Sequence, residues 1–309
     1  MVFSHEVLTH ILPLILWLAV NSTAHGQVYP IPDEMPPIGR TSAVELTPSP
    51  GGHGGAGIHK TAMLLRGEDF ATEFRGMTTL TLEPGCSIGE HYLKTCEEIY
   101  IALDGPARFT VNGKTAELPA GAMVPGILHS SHGIYNNTDK SLRMLIITAG
   151  DKKSQNGFID YGDDLTGTIP ETPPPFPWVQ LDKSLLHEAS NSHDGKGTIL
   201  FRRLWNPDSF DSKFYVFSHA IILSGSSIGY HQHNTREEIY YVLEGSGRYT
   251  VNDSTFTVGK GDALPCRIHD VHGIYNDSVN DLEILIFSVS LKKGEVTDEI
   301  NLGDDLTMR

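Results

Sequence analysis

The chain has 309 residues, enough for two domains of ordinary size. Its formal charge of −15 argues against nucleic acid and anionic membrane as partners, because both would repel it. Hydrophobic residues make up 39% and charged residues 20%, a globular balance, and 31 Gly with 18 Pro favour short strands and turns over long helices.

Residues 1–26 read as an export signal. Ile11–Val20 is apolar, and the small residues Ala24 and Gly26 precede Gln27. His5 and His10 stand where lysine or arginine is usual. The alternative is an N-terminal anchor that stays attached, but the apolar run is short for a membrane span. The expectation is a secreted or periplasmic protein with no membrane contact after the signal is removed. Residues 27–60 are rich in Pro and Gly, including Pro50–Gly57, and predict an extended arm with little structure of its own. His53 and His59 then read as solvated loop residues.

A first domain is expected over 61–167. Thr168–Trp178 is proline-rich, stiff and extended, and opens a linker that runs through 197. A second domain follows over 198–309. The two domains are copies. Gly85–Asn136 aligns without a gap to Gly225–Asn276, about half of the pairs being identical, and both copies end in GDDLT, at Gly162–Thr166 and Gly303–Thr307. Phe70 and Phe74 likewise match Phe210 and Phe214. Within the first copy, Met77–Gly85, Glu97–Gly105, Ala107–Leu118 and Ser141–Gly150 are rich in β-branched or aromatic residues and bounded by turn residues. No helical period is sustained. The fold class is all-β, a sandwich or barrel in each copy.

The second copy carries the densest chemistry. His231 and His233 lie two residues apart, so a strand projects both from one face. The returning strand presents Glu238 and Tyr240 on a shared face, and a later strand supplies His272. Three imidazoles and one carboxylate suit one divalent transition metal, Mn, Fe, Ni, Cu, Co or Zn. The carboxylate neutralises only one of its two charges, and an octahedral ion would keep two positions for substrate. The first copy repeats His91, Glu98 and His132 but has Leu93 where His233 stands. It reads either as a weaker metal site or as a structural copy whose polar groups satisfy one another.

Other repeated residues carry weaker expectations. Tyr240 and His269 are the proton-transfer candidates; His129 and Tyr100 are their counterparts. Glu97 and Glu237 point away from the ligands and read as surface residues. Three cysteines, Cys86, Cys96 and Cys266, are too few and odd in number for a disulfide framework, so free buried thiols are expected over a Cys86–Cys96 bridge. Ile239, Tyr241 and Leu243 make the face opposite Glu238 apolar. One barrel cannot bury both faces, so this one packs on its twin within the chain or in a homo-oligomer.

The spacing resembles the cupin superfamily. Its first motif is matched by Gly225, five residues, His231, one residue, His233, four residues, Glu238, six residues and Gly245; its second by Pro265, His272 and Asn276. The glycine expected between that proline and histidine is absent, with Arg267 near its place. Both copies match, so the whole chain resembles a bicupin. The resemblance implies two tandem cupin (jelly-roll, double-stranded β-helix) barrels. It implies metal-dependent chemistry on a small oxygen-rich molecule, of lyase, decarboxylase or isomerase type. A bicupin dioxygenase and a non-catalytic ligand-binding bicupin are the alternatives it leaves open.

Overall fold

The computed structural model describes residues 38–154, 157–295 and 299–309. The export signal expected over 1–26 lies outside the described residues. Among them, no helix is long and apolar enough to cross a membrane.

The chain forms two antiparallel β-barrels of the jelly-roll kind, each made of a seven-stranded and a five-stranded sheet. In the first barrel the strand Cys96–Ala102 runs between Ala122–Gly126 and Leu142–Gly150, while Ser87–Leu93 runs between Phe158–Asp163 and Ser131–Tyr135. The second barrel repeats this plan with Arg236–Glu244 and Ser227–His233 at the corresponding places. Tight turns set the registers. Asn112 and Gly113 join Ala107–Val111 to Lys114–Leu118 with φ of 50° and 71°, both in the left-handed region that a two-residue hairpin requires.

Each barrel encloses its own apolar cluster. Leu80, Ile88, Tyr100 and Phe109 belong to the first; Ile222, Ile228, Tyr240 and Tyr249 to the second. A third cluster joins the barrels, with Ile99, Ile101, Leu145 and Phe74 on one side and Ile239, Tyr241, Leu285 and Phe287 on the other. Phe74 approaches Phe287 with ring centroids 6.0 Å apart. The apolar face opposite Glu238 is therefore buried inside the chain, against its twin.

Three sequence expectations are corrected. The arm over 27–60 is structured wherever it is described: Gly39–Arg40 pairs with Asp262–Ala263 of the second barrel, and Thr47–Pro50 pairs with Ile58–Thr61. The 168–197 linker behaves alike, since Val179–Gln180 pairs with Ala122–Met123 of the first barrel. Each copy thus lends the strand that precedes it to the other barrel, an exchange that a proline-rich composition does not reveal. Glu97 and Glu237 are not surface residues; both have no solvent exposure. Glu237 accepts hydrogen bonds from the backbone of Ala71 and Thr72 and from the Thr72 hydroxyl. Glu97 accepts from the backbone of Leu128, Asp211 and Ser212 and from the Ser212 hydroxyl. Each carboxylate reaches across the junction into the loop of the opposite barrel. Fixed donors replace the water that a buried carboxylate would otherwise lack. Burial nevertheless pushes the Glu237 carboxyl above its usual value, against the hydrogen bonds from Thr72 and Ala71.

Candidate metal centre

In the second barrel, the strand Ser227–His233 turns His231 and His233 inward, both without solvent exposure, while Gln232 between them faces out and donates to the His269 carbonyl at 2.9 Å. His272, on Val271–Tyr275, sits directly across from His231 in the register. Glu238 comes from the neighbouring sheet. The three Nε2 atoms converge on its Oε2: 3.5 Å from His233, 3.5 Å from His272 and 3.9 Å from His231. One ligand atom from each residue lies within 4.8 Å of all the others.

Neighbouring groups hold two of the three imidazoles, His231 and His272, in a ligand-ready tautomer. His231 donates from Nδ1 to the Gly229 carbonyl at 2.8 Å, which leaves the Nε2 lone pair aimed at the centre. Tyr249 donates to the Pro265 carbonyl at 2.9 Å and stands 3.4 Å from His272 Nδ1. Gly273 follows His272 because a Cβ there would meet the Gly229 and Ile228 carbonyl oxygens at 2.8 Å, and the GDDLT segment packs its leucine, Leu306, onto the same place. Burial lowers His233 to about 4 and His272 well below its usual value, so both are neutral near pH 7. Burial alone would raise Glu238, but the electrostatic attraction of the groups that face it, His233 first and the Arg236 guanidinium among them, holds it well below the carboxylate range. The residues fit a divalent metal. His231 Nε2 and His272 Nε2 are buried without a hydrogen-bond partner, and neutral imidazoles beside an ionised carboxylate are the donor set such an ion takes.

A cavity of about 270 Å³ adjoins Glu238 and is lined in part by His193, Arg236, Tyr240 and Glu299. Tyr240 is buried, and burial together with the Glu238 charge pushes its phenol well above its usual value. His269 does not line this cavity; its Nδ1 pairs with Asn234 Oδ1 at 3.2 Å. A larger cavity of about 550 Å³ lies between the barrels, lined by Thr41, Arg143, Lys183 and Tyr241, away from the histidines.

The first barrel keeps a three-residue group that could also hold an ion: ligand atoms of His91, Glu98 and His132 lie within 4.8 Å of one another, and His91 Nε2 is buried without a hydrogen-bond partner. His132 Nε2 and His91 Nε2 lie 3.2 Å and 3.6 Å from Glu98 Oε2, and Thr148 donates to Glu98 Oε1 at 3.1 Å. Leu93 is fully buried at the remaining corner. Burial lowers His132 to about 4; it would raise Glu98, but the hydrogen bond from His132 and the nearness of His91 hold that carboxyl well below its usual value. The three cysteines are free and buried, and burial pushes Cys96 up to about 12.

The sequence reading missed three groups. His193 stacks on His231 with centroids 3.7 Å apart, and His53 stacks on His91 at the same distance while its Nδ1 meets Asp160 at 2.6 Å. His53 is therefore no solvated loop residue. The signal was present: Gly52–Gly57 and Ser192–Gly197 are the same turn in the two copies. Arg236 Nη2 lies 3.5 Å from His233 Nε2 and 3.8 Å from Glu238 Oε1, and it donates to Glu299. No local motif marks Arg236 or Glu299.

Comparison with known proteins gives the setting. The cupin domain profile matches residues 78–148 and 218–288. An oxalate-binding protein of Thermotoga maritima is 31% identical over 102 residues, 33% of this chain and 84% of that protein. An uncharacterised protein of Methanocaldococcus jannaschii is 36% identical over 93 residues, 30% of this chain and 74% of that protein. Among solved structures, variants of the oxalate decarboxylase of Bacillus subtilis superpose with TM-scores of 0.59 to 0.60 at 15% identity, covering 89% of this chain and 81% of theirs. Another structure of that decarboxylase, at TM-score 0.60 and 16% identity over 89% of this chain and 81% of the other, is described by its Mn(II) centres.

Proposed function

This chain belongs to the cupin family, with two cupin domains in tandem, and on that premise we propose that its second barrel is a metal-dependent lyase site for a small carboxylate, oxalate being the reference substrate. One observation carries the reading: three buried imidazole nitrogens converge on one buried carboxylate oxygen, two of them with no other partner. His231, His233, Glu238 and His272 would hold the ion. A bound divalent metal supplies a Lewis acid that grips substrate oxygens and spreads developing negative charge.

The chain's own residues do the rest. Ile199, Val216, Ile228 and Ile286 form the apolar part of the cavity wall, which sheds water where a small anion would meet the metal. The Tyr240 phenol keeps its proton at neutral pH and stands beside Glu238 as the donor to a carbanion-like carbon. For the oxalate dianion the balance is closed: the carbon–carbon bond breaks, one carbon leaves as carbon dioxide, and the other keeps the electron pair and takes the Tyr240 proton to become formate, the phenolate then regaining a proton from water. His269 is withdrawn as the proton donor in this reading, because its ring is outside the cavity. The apolar segment 11–20 supports export, which amino-terminal sequencing of protein recovered outside the cytoplasm would check.

The test is elemental analysis of purified protein together with formate release from oxalate. One equivalent of a divalent transition metal per chain, and formate production lost in His272→Ala, are expected. Metal-free native protein, or undiminished turnover in that variant, would end the proposal. A second reading, oxalate capture without turnover, draws on the oxalate-binding relative. Tight calorimetric binding with no formate would select it.

A further inference from the structure

We infer that Arg236 receives a carboxylate of the substrate, that Glu299 holds its place until the substrate arrives, and that the second barrel is built for a dianion such as a small dicarboxylate. The inference rests on the reading of His231, His233, Glu238 and His272 as a metal centre.

The first argument is position. The Arg236 side chain is 7% exposed and lines the cavity within 4 Å of two ligand residues, His233 and Glu238. A guanidinium there faces whatever binds the metal. Its planar fork suits a carboxylate, which it can hold by two parallel hydrogen bonds. Tyr215 backs it, with the guanidinium carbon 5.2 Å from the ring centroid.

The second argument is the nature of one partner it has. Glu299 is itself a carboxylate, bound to Arg236 and placed 3.8 Å from His193. Its side chain is 40% exposed, so it can turn to water at small cost, whereas Arg236 cannot leave the cavity wall. An entering carboxylate can therefore take over the guanidinium by exchange, without stranding a buried charge.

The third argument is charge. A divalent ion and Arg236 together carry three positive charges, and Glu238 supplies one negative charge. Once Glu299 turns away, a dianion balances the charge that the ion, Arg236 and Glu238 carry between them; Arg203, exposed on the cavity wall, adds a positive charge that solvent screens.

The fourth argument is the internal control. In the first barrel the positions of His233, Arg236 and Glu299 hold Leu93, Cys96 and Phe158. Phe158 pairs with Leu93 in the register as Glu299 pairs with His233. Ligand, cation and counter-anion change together. They form one functional unit, kept whole in one barrel and replaced whole in the other.

The test is titration calorimetry of Mn(II)-loaded protein with sodium oxalate and, separately, sodium acetate, with metal content measured for each variant. Arg236→Gln should retain its metal and bind oxalate about 30-fold or more weakly, as loss of a charge-paired carboxylate contact does, with acetate binding little changed. Glu299→Gln, a change at an exposed side chain, should tighten oxalate severalfold by removing its competitor. Equal oxalate affinity in wild type and Arg236→Gln, or weaker oxalate binding in Glu299→Gln, would overturn the inference and leave the metal centre standing. Wild-type protein that holds Mn(II) but ignores oxalate would overturn the dianion assignment alone. Wild-type protein that takes up no metal would remove the underlying reading, and this inference with it.

Discussion

At the mouth of the second barrel a histidine, an arginine and a glutamate meet; at the same three places in the first barrel stand Leu93, Cys96 and Phe158. Deeper in, the barrels agree: His91, Glu98 and His132 mirror His231, Glu238 and His272. The difference shows which residues depend on one another. An arginine or glutamate left beside Leu93 and Phe158 would be a charge without a partner in an apolar wall, a costly arrangement. The corner can therefore lose its polarity only as a set. The inner three stay together without that set: Glu98 lies 3.2 Å from His132 Nε2 and 3.6 Å from His91 Nε2, the same convergence that the second barrel shows.

Moving one side chain between the barrels tests this most severely. His233→Leu gives the second barrel the corner of the first. Metal affinity there should fall about a thousandfold, roughly one ligand's share of a four-ligand site, measured by competition with a chromogenic chelator. Leu93→His is the converse and should raise the affinity of the first barrel, with metal per chain rising toward two equivalents. An unchanged stoichiometry in both variants would mean that this corner does not set metal binding.

The paired clamps of Glu97 and Glu237 make the barrels equal again, and they separate stability from chemistry. Removing either carboxylate strands several buried donors across the junction, at a cost of about 2–3 kcal/mol. Glu97→Ala should lower the denaturation midpoint at least as much as Glu237→Ala, because Glu97 accepts four hydrogen bonds and Glu237 three. Urea denaturation of the two variants checks the order.

The fold and the convergence of the inner histidines and glutamate were legible in the sequence; the junction and the rim were not. His231 and His233 are read from their spacing alone, because a strand puts alternate residues on one face. Glu97 and Glu237 follow the same alternation to the outer face, but alternation cannot say that this face is covered by the other barrel. Gly39–Arg40 and Val179–Gln180 are too short, and too rich in neighbouring prolines, to signal strands; the strand edges they meet define them. Glu299 reaches Arg236 across 63 positions of sequence, a distance over which only the fold brings charges together. His193 could have been found by extending the repeat backward to His53.

The smallest effect we expect comes from another unequal pair. Thr79 and Arg143 of the first barrel correspond to His219 and Glu283 of the second. Glu283 meets His219 Nε2 at 2.8 Å and Lys183 at 2.7 Å, and its side chain is 11% exposed. Burial would raise its pKa, but the hydrogen bonds from His219 and Lys183 lower it below the ordinary 4.5. A carboxyl depressed by folding adds stability above its unfolded pKa and loses that contribution as pH falls through the folded value. Glu283→Gln should therefore cost about 1–2 kcal/mol near pH 7. The gap from wild type should narrow only once the pH drops below about 4.5, and continue to close further into acid. Arg143→Gln in the first barrel breaks a pair with Asp104 in which both side chains are about a third or more exposed, so it should cost well under about 1 kcal/mol. Thermal melts of both variants across the acid range decide it: a Glu283→Gln gap that stays constant from neutral pH to pH 3 would show that the carboxylate charge does not support the junction.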